Sequence, residues 1–313
     1  MPAVRGDVLL LVCAMVKVRD FIGPYRLTRL IRVGNSCAVW EAVRESDNAR
    51  FALKVLRQDL RKDKQELAFL RHEFEVASRL SHPNVIRMYE FNLDGEVPYL
   101  VLELYSEHNL KQALRTGIEP WWFYFQKIIE QAAEALYHVH EHGWVHCDVK
   151  PDNFLVSSEG EIKLIDFTIA QKMGTSRLGW FRFGKTFIRG TRSYMSPEQI
   201  RGKRLDARSD IYSLGCVMFE LLGGRPPFTG NNPDELLEKH LYAAIPNIQA
   251  LNNNVTTEAA DLIRRMMSKK AEDRPPNMWE FLKEFRTIKV FRRAPRRPGE
   301  VEQPDEATEP EGR

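Results

Sequence analysis

Cysteine is scarce in this chain. The four present, Cys13, Cys37, Cys147 and Cys216, show neither the paired spacing of a metal site nor a short disulfide framework, which fits free thiols in a reducing cytoplasm. Long apolar runs are missing as well. The run from Leu9 to Val16 is too short for a bilayer, which takes roughly 20 apolar residues, and no small-residue cleavage site follows it. No membrane span and no signal peptide are therefore expected, and the run reads as a helix or strand packed on its neighbours. Nor is one charge in excess. With 46 Lys and Arg against 43 Asp and Glu, a net charge of +3 gives no whole-chain attraction to nucleic acid or a membrane surface. No internal repeat is visible.

What is present is apolar residue enough, 43% of 313, to bury a sizeable core in one large or two ordinary domains. The most telling stretch runs from Val145 through His146, Cys147, Asp148, Val149, Lys150, Pro151, Asp152, Asn153 and Phe154 to Leu155. It sets a carboxylate, an amine and an amide at short fixed spacings in a segment too polar for a core. Phosphoryl transfer to a hydroxyl uses those three groups: the carboxylate accepts the alcohol proton, the ammonium neutralises charge on the moving phosphoryl, and the amide oxygen holds a divalent cation. The run resembles the protein-kinase catalytic loop H-R-D-x-x-x-x-N, with Cys147 where the family has Arg. The resemblance implies Asp148 as the base, Asn153 as a metal ligand and Lys150 as the charge-neutralising lysine of the serine/threonine branch.

Further motifs follow in the family's order. The apolar run Ile162 to Ile165 reads as a strand and delivers Asp166-Phe167-Thr168, similar to the D-F-G element whose Asp holds the metal. Phe51-Ala52-Leu53-Lys54-Val55-Leu56 alternates as a strand and resembles V-A-I-K, whose Lys pairs with the nucleotide phosphates. Leu67, Leu70, Phe74, Ala77 and Leu80 recur at helical spacing, so residues from about Lys64 to Leu80 are expected as one amphipathic helix carrying two candidate partners for Lys54, Glu73 and Glu75. The spacing to His82-Pro83-Asn84 in the family selects Glu73. Gly190 to Glu198 resembles the end of an activation segment, and Asp206 to Gly215 the start of the large buried helix, where Asp210 would bond the catalytic-loop backbone. Glu198 would pair with Arg274, in a structural role.

The resemblance covers roughly residues 25 to 288 and implies an α+β, two-lobed protein kinase fold. The domains would be an N-terminal extension (1–24), a small, mostly strand lobe with one key helix (25–104), a large, mostly helical lobe (105–288) and a disordered charged tail (289–313). The first long helix of the large lobe is expected from about Trp121 to Glu141, stopping near Gly143. The hinge would run through Leu102 to Tyr105, with Glu103 and Tyr105 beside the adenine, Ala52 above it and Leu155 below. Ile31, Gly34 and Val39 would cover the nucleotide. The resemblance implies ATP with Mg²⁺ (or Mn²⁺) as cofactors.

Three positions depart from the pattern. Where the family shows G-x-G-x-x-G-x-V, this chain has Arg32-Val33-Gly34-Asn35-Ser36-Cys37-Ala38-Val39, and only the middle glycine survives. Arg32 and Cys37 should stiffen this hairpin or hold it farther from the phosphates, which weakens ATP binding unless the Arg32 guanidinium compensates. Thr168 replaces a glycine and, being β-branched, predicts a slower or rarer flip of Asp166 out of the site. Cys147 cannot grip a phosphate as an arginine does, so a phosphorylated activation segment, for example at Thr186, is not expected to be required through that contact. Cys37 and Cys147 read as inert thiols before they read as a redox switch.

From Ala170 to Arg192 the segment carries Lys172, Arg177, Arg182, Lys185, Arg189 and Arg192 without an acid, interleaved with Trp180, Phe181, Phe183 and Phe187. That make-up suits acidic or phosphorylated peptide substrates, or an aromatic loop tucked on the large lobe. Nucleic acid is not expected as a partner. The first reading is an active serine/threonine protein kinase acting on protein hydroxyls; the alternative is a pseudokinase serving as nucleotide-binding scaffold or regulator. Small-molecule phosphotransfer is disfavoured by the peptide-docking segment at Gly190 to Glu198. The stretches Tyr194 to Gln199 and Asp206 to Tyr212 look most like the bacterial members, so a cytoplasmic enzyme switched by a partner or by its tail is expected.

Overall fold

The computed structural model describes residues 21–93, 95–105, 108–175 and 192–298. The apolar run at 9–16, Cys13, Thr186 and most of the basic, aromatic stretch of the activation segment lie outside the described residues, as does the end of the tail from 299. Among the described residues no helix is long and apolar enough to cross a membrane.

The small lobe is an antiparallel sheet of β1 (Phe21–Ile22), β2 (Tyr25–Val33), β3 (Cys37–Arg44), β4 (Arg50–Leu56), β5 (Met88–Asn92) and β6 (Tyr99–Leu102), in the order β1-β2-β3-β4-β6-β5. Alternation along β4 sorts its side chains between two cores. Phe51, Leu53 and Val55 join Tyr25, Tyr99 and Val101 on one face, whereas Ala52 and Leu56 face the helix and the large lobe, so Lys54, between them in register, points the same way.

Helix α1 (Lys64–Ala77) starts where Asp63 accepts hydrogen bonds from the amides of Gln65 and Glu66 at 2.8 and 3.2 Å. It buries Leu70, Val76 and Ala77 against the sheet, and among them the acid Glu73. The following His82-Pro83-Asn84 turn joins the lobes. The Ile86 amide donates to the Leu164 carbonyl at 3.0 Å, the Leu164 amide to the Asn84 carbonyl at 2.8 Å, and the buried Asn84 amide to Gln131 Oε1 at 2.7 Å.

The large lobe opens with β7 (His108–Asn109) and α2 (Leu110–Arg115), then the short α3 (Glu119–Trp122) and the long α4 (Phe125–Glu141). The expected single helix from Trp121 is thus broken at Phe123 and Tyr124, because Pro120 begins a separate turn. It ends as expected, with Gly143 at φ +77°. Strands β8 (Trp144–Val145), β9 (Phe154–Val156), β10 (Ile162–Leu164) and β11 (Gln171–Lys172) carry the polar loops that face the small lobe. Helix α5 (Pro197–Ile200) precedes α6 (Ala207–Gly223), which is buried on nearly every side and organises the lobe. Around it lie α7 (Pro233–Tyr242), α8 (Thr257–Met266) and α9 (Met278–Phe285).

The tail boundary expected at 289 needs correction. Val290 and Phe291 are buried, the Thr256 amide donates to the Val290 carbonyl at 3.0 Å, and the Phe291 ring meets Trp122 and Phe125 at centroid distances of 6.0 and 5.9 Å. Two apolar residues inside a basic run suffice to dock it, because burying a Phe is worth roughly 1.5–3 kcal/mol.

Candidate active site

A cavity of about 410 Å³ opens between the lobes. Ile31, Gly34, Val39 and Ala52 line it from the sheet, Glu103 and Tyr105 from the hinge, and Leu155 from below. Lys54, Glu73, Asp148, Lys150 and Asp166 lie on the same wall system. Asn153 is the exception: it is buried behind the wall and does not line the cavity.

Lys54 and Glu73 meet because α1 packs on β5 and β6 and turns Glu73 toward the sheet face to which Ala52, Lys54 and Leu56 point. Lys54 Nζ lies 2.8 and 2.6 Å from the two Glu73 oxygens and 3.7 Å from Asp166 Oδ1. Glu75, the other acid on this helix, is exposed. Burial works against the Lys54 ammonium, yet the two carboxylates hold its pKa above the ordinary lysine range.

The loop from His146 to Asn153 is held by backbone bonds to α6. Asp210, wholly buried, accepts from the amides of His146 and Cys147 at 2.8 and 2.9 Å and from His140 Nε2 at 2.8 Å, while Gln199 Nε2 donates to the Cys147 carbonyl at 2.8 Å. These bonds stabilise Cys147 in a left-handed conformation, φ +67°, that a non-glycine residue adopts at a cost of order 1–2 kcal/mol. Its thiol is buried and donates to the Val145 carbonyl at 3.3 Å. Cys37 lies on the cavity wall, where burial pushes its thiol up to about 12, so it is not poised as a thiolate.

Asp148 carries the loop's reactive carboxylate. Its Oδ2 accepts from Lys150 Nζ at 2.7 Å and from Asn153 Nδ2 at 2.9 Å. Burial raises its pKa above the ordinary aspartate range, with Lys150 opposing. A second bond from Asn153 Nδ2, to the Asp148 carbonyl at 2.8 Å, commits the nitrogen end of that amide to the loop and leaves its oxygen as the free ligand end.

Asp166 follows β10 in a left-handed conformation, φ +68°. Burial opposes its ionisation, but the Lys54 charge and a hydrogen bond from the Thr168 hydroxyl hold the carboxyl well below the usual range. Phe167 is fully buried edge-on to His146, at a centroid distance of 5.0 Å, outside the nucleotide cavity. Among the described residues no cluster of three or more His, Cys, Asp or Glu can hold a metal by itself. One carboxylate and one amide oxygen nonetheless fit a hard divalent cation that takes its remaining ligands from phosphates and water.

Other contacts carried no sequence signal. The Thr168 hydroxyl reaches both Asp166 and Glu73. Glu220, buried on α6, is bound by the Tyr194 hydroxyl and by Lys111 Nζ at 2.5 Å. Glu103 pairs with Lys163 at 2.7 Å, fixing the hinge side chain away from chemistry. Glu198 and Arg274, by contrast, form the pair expected from the sequence, with two bonds at 2.7 and 2.9 Å. At the hairpin tip, Gly34 donates to the Cys37 carbonyl at 2.7 Å, Arg57 ties down the carbonyls of Asn35 and Ser36, and Arg32 stands exposed at the cavity rim.

A curled sheet with one ion-paired helix, a helical lobe on a buried axis, and a cleft between them holding lysine, glutamate and two aspartates define a protein kinase. The chain belongs to the protein kinase domain family, whose model matches residues 25–284. Membership implies ATP as co-substrate and a divalent cation. Among its relatives, serine/threonine-protein kinase PrkC of Bacillus subtilis (strain 168) is 32% identical over 247 residues, covering 79% of this chain and 38% of PrkC. Serine/threonine-protein kinase PknB of Mycolicibacterium smegmatis is 34% identical over 229 residues, 71% of this chain and 36% of PknB. The probable serine/threonine-protein kinase PknB of Corynebacterium glutamicum is 36% identical over 226 residues, 69% of this chain and 34% of that protein. The chain spans about two-fifths of the length of the curated relatives it matches.

Proposed function

We propose that this chain is a serine/threonine protein kinase that transfers the γ-phosphoryl of ATP to Ser or Thr hydroxyls of protein substrates with Mg²⁺ (or Mn²⁺). The supporting observation is the gathering of Lys54, Glu73, Asp148, Lys150 and Asp166 around one cleft, with Asn153 bonded to Asp148 from behind its wall. Lys54, steadied by Glu73, would orient the phosphates. Asp148 would position the substrate hydroxyl and take its proton, a role for which its raised pKa suits it. Lys150, 2.7 Å from that carboxylate, would offset charge on the transferred group. Asp166 and the Asn153 oxygen would hold the cation, which supplies charge neutralisation at the phosphate oxygens.

For the substrate we infer a Ser/Thr segment with acidic neighbours. Arg201, Lys203 and Arg204 are exposed just after the peptide-docking segment and favour a negatively charged peptide. A cytoplasmic location is part of the same proposal, on the unoxidised thiols of Cys37 and Cys216 among the described residues. The test is incorporation of radiolabelled phosphate by wild type beside Asp148→Asn. A loss of about 10²–10⁴-fold in the variant is expected for removal of a positioned base; equal incorporation by both proteins, or none by either with ATP bound, would favour the scaffold reading.

A further inference from the structure

We propose that the Thr168 side chain is a positioning residue that clamps the cation-side carboxylate Asp166 to helix α1, so that the helix and the Asp166 loop hold their places as one unit. Its catalytic consequence rests on the kinase reading above; the clamp itself does not.

The geometry is a closed ring of four heteroatoms from three parts of the fold. Lys54 Nζ on β4 is 2.6 Å from Glu73 Oε2 on α1 and 3.7 Å from Asp166 Oδ1 after β10. Thr168 Oγ1 closes it from the other side, 2.6 Å from Asp166 Oδ1 and 3.2 Å from Glu73 Oε2. Two carboxylates sharing one cation repel each other, and a hydroxyl set between them lowers that cost by sharing its hydrogen between the two. A threonine has a single hydroxyl hydrogen. The 2.6 Å contact is in the range of a charge-assisted O–H···O⁻ bond, so Asp166 Oδ1 is the main acceptor of that hydrogen and Glu73 Oε2, at 3.2 Å, the weaker second acceptor of the same three-centre bond, while Lys54 reaches both Glu73 oxygens.

Asp166 needs this support. It sits at φ +68°, a conformation that costs a non-glycine residue of order 1–3 kcal/mol and persists only where its surroundings over-determine it. The Thr168 amide also points at Asp166 Oδ1, at 3.3 Å, forming with the hydroxyl a two-pronged turn that the side-chain oxygen of an Asp can accept. Lys54, the Thr168 amide and the Thr168 hydroxyl all converge on Oδ1, which leaves Oδ2 for a cation. A glycine at 168 would supply the amide alone. The hydroxyl is therefore the connection between α1 and Asp166 itself that does not pass through Lys54, beside the contact of His72 Nε2 on α1 with the Ala170 carbonyl at 2.8 Å farther along the loop.

The proposal is tested on the full chain, without turnover, by amide hydrogen exchange of wild type, Thr168→Val, Thr168→Ser and Thr168→Gly. Valine keeps the β-branch and removes the hydroxyl; serine does the reverse. Faster exchange in both 64–77 and 165–170 is expected for the valine and glycine variants, about tenfold or more, the equilibrium weight of one charge-assisted hydrogen bond, with serine close to wild type. Binding of Mn²⁺ in the presence of ATP, read by water-proton relaxation, should weaken by a similar factor in the valine variant and recover in the serine variant. If Thr168→Val does not fold, the serine and glycine pair carries the same comparison. Unchanged exchange in Thr168→Val, a change confined to 165–170, or serine behaving like valine would each overturn the clamp. A failure to incorporate phosphate would instead count against the kinase reading and leave this result standing.

Discussion

The Lys54 ammonium and the Glu73 carboxylate form a buried ion pair in which the nitrogen lies 2.8 and 2.6 Å from the two acid oxygens, and the pair ties helix α1 to β4. Because Lys54 is also 3.7 Å from Asp166, the charge of one residue orders two acids from different lobes. Glu73→Gln keeps the shape and removes the charge. We expect kcat/KM for phosphoryl transfer to fall about 10²-fold, the scale of a small misplacement in a reacting geometry, as measured by steady-state kinetics on a peptide substrate. A variant indistinguishable from wild type would show that the pair is structural only.

Asp148 has its pKa raised by burial and lowered again in part by the neighbouring Lys150 ammonium. A base must be ionised to accept a proton, so activity is lost as pH falls through the pKa of Asp148. Lys150→Met removes the opposing charge and should move the acid limb of the kcat/KM profile to higher pH, in addition to lowering the rate. A limb that stays put or moves to lower pH contradicts the assignment of Asp148 as the group that titrates.

Arg274 is fully buried at its side chain and bonds both oxygens of Glu198, the Ser268 carbonyl and the Arg208 carbonyl. Arg274→Met strands the acid and two carbonyls. We expect a loss of about 3–5 kcal/mol in unfolding free energy, the usual cost of removing one partner of a buried pair, read by urea denaturation. The double change Glu198→Gln with Arg274→Met should recover part of it.

Phe291 lies beyond the last helix yet packs between Trp122 and Phe125. Phe291→Ala should cost about 3 kcal/mol, at the low end for a buried phenylalanine because 7% of the residue is exposed. Thermal unfolding of this variant beside Arg293→Ala separates ring packing from the basic run around it. An unchanged midpoint for Phe291→Ala would return residue 291 to the tail.

Much of the fold was legible because its determinants are local. Alternation along residues 51 to 56, helical spacing from 64 to 80 and the polar run 146 to 153 each follow from neighbouring residues, and each forms close to where it is expected. The boundary at 289 was not legible. Val290 and Phe291 dock through contacts with 122, 125 and 256, while the basic residues around them make the segment read as solvated. The break at Phe123 was likewise hidden, since the apolar period continues across it.

The order of motifs along the chain, and with it the family, were settled by the sequence alone, because each motif is short enough for its chemistry to be written in adjacent residues. Periodicity could not choose between Glu73 and Glu75; packing did, burying one beside Lys54 and leaving the other in solvent. The Thr168 hydroxyl between two acids, Asn153 withdrawn behind the cavity wall, and Glu220 shared by Tyr194 and Lys111 were decided only in three dimensions. The physical reason is that such contacts depend on how far two packed elements approach each other, a distance set by every side chain between them and carried by no short stretch of chain.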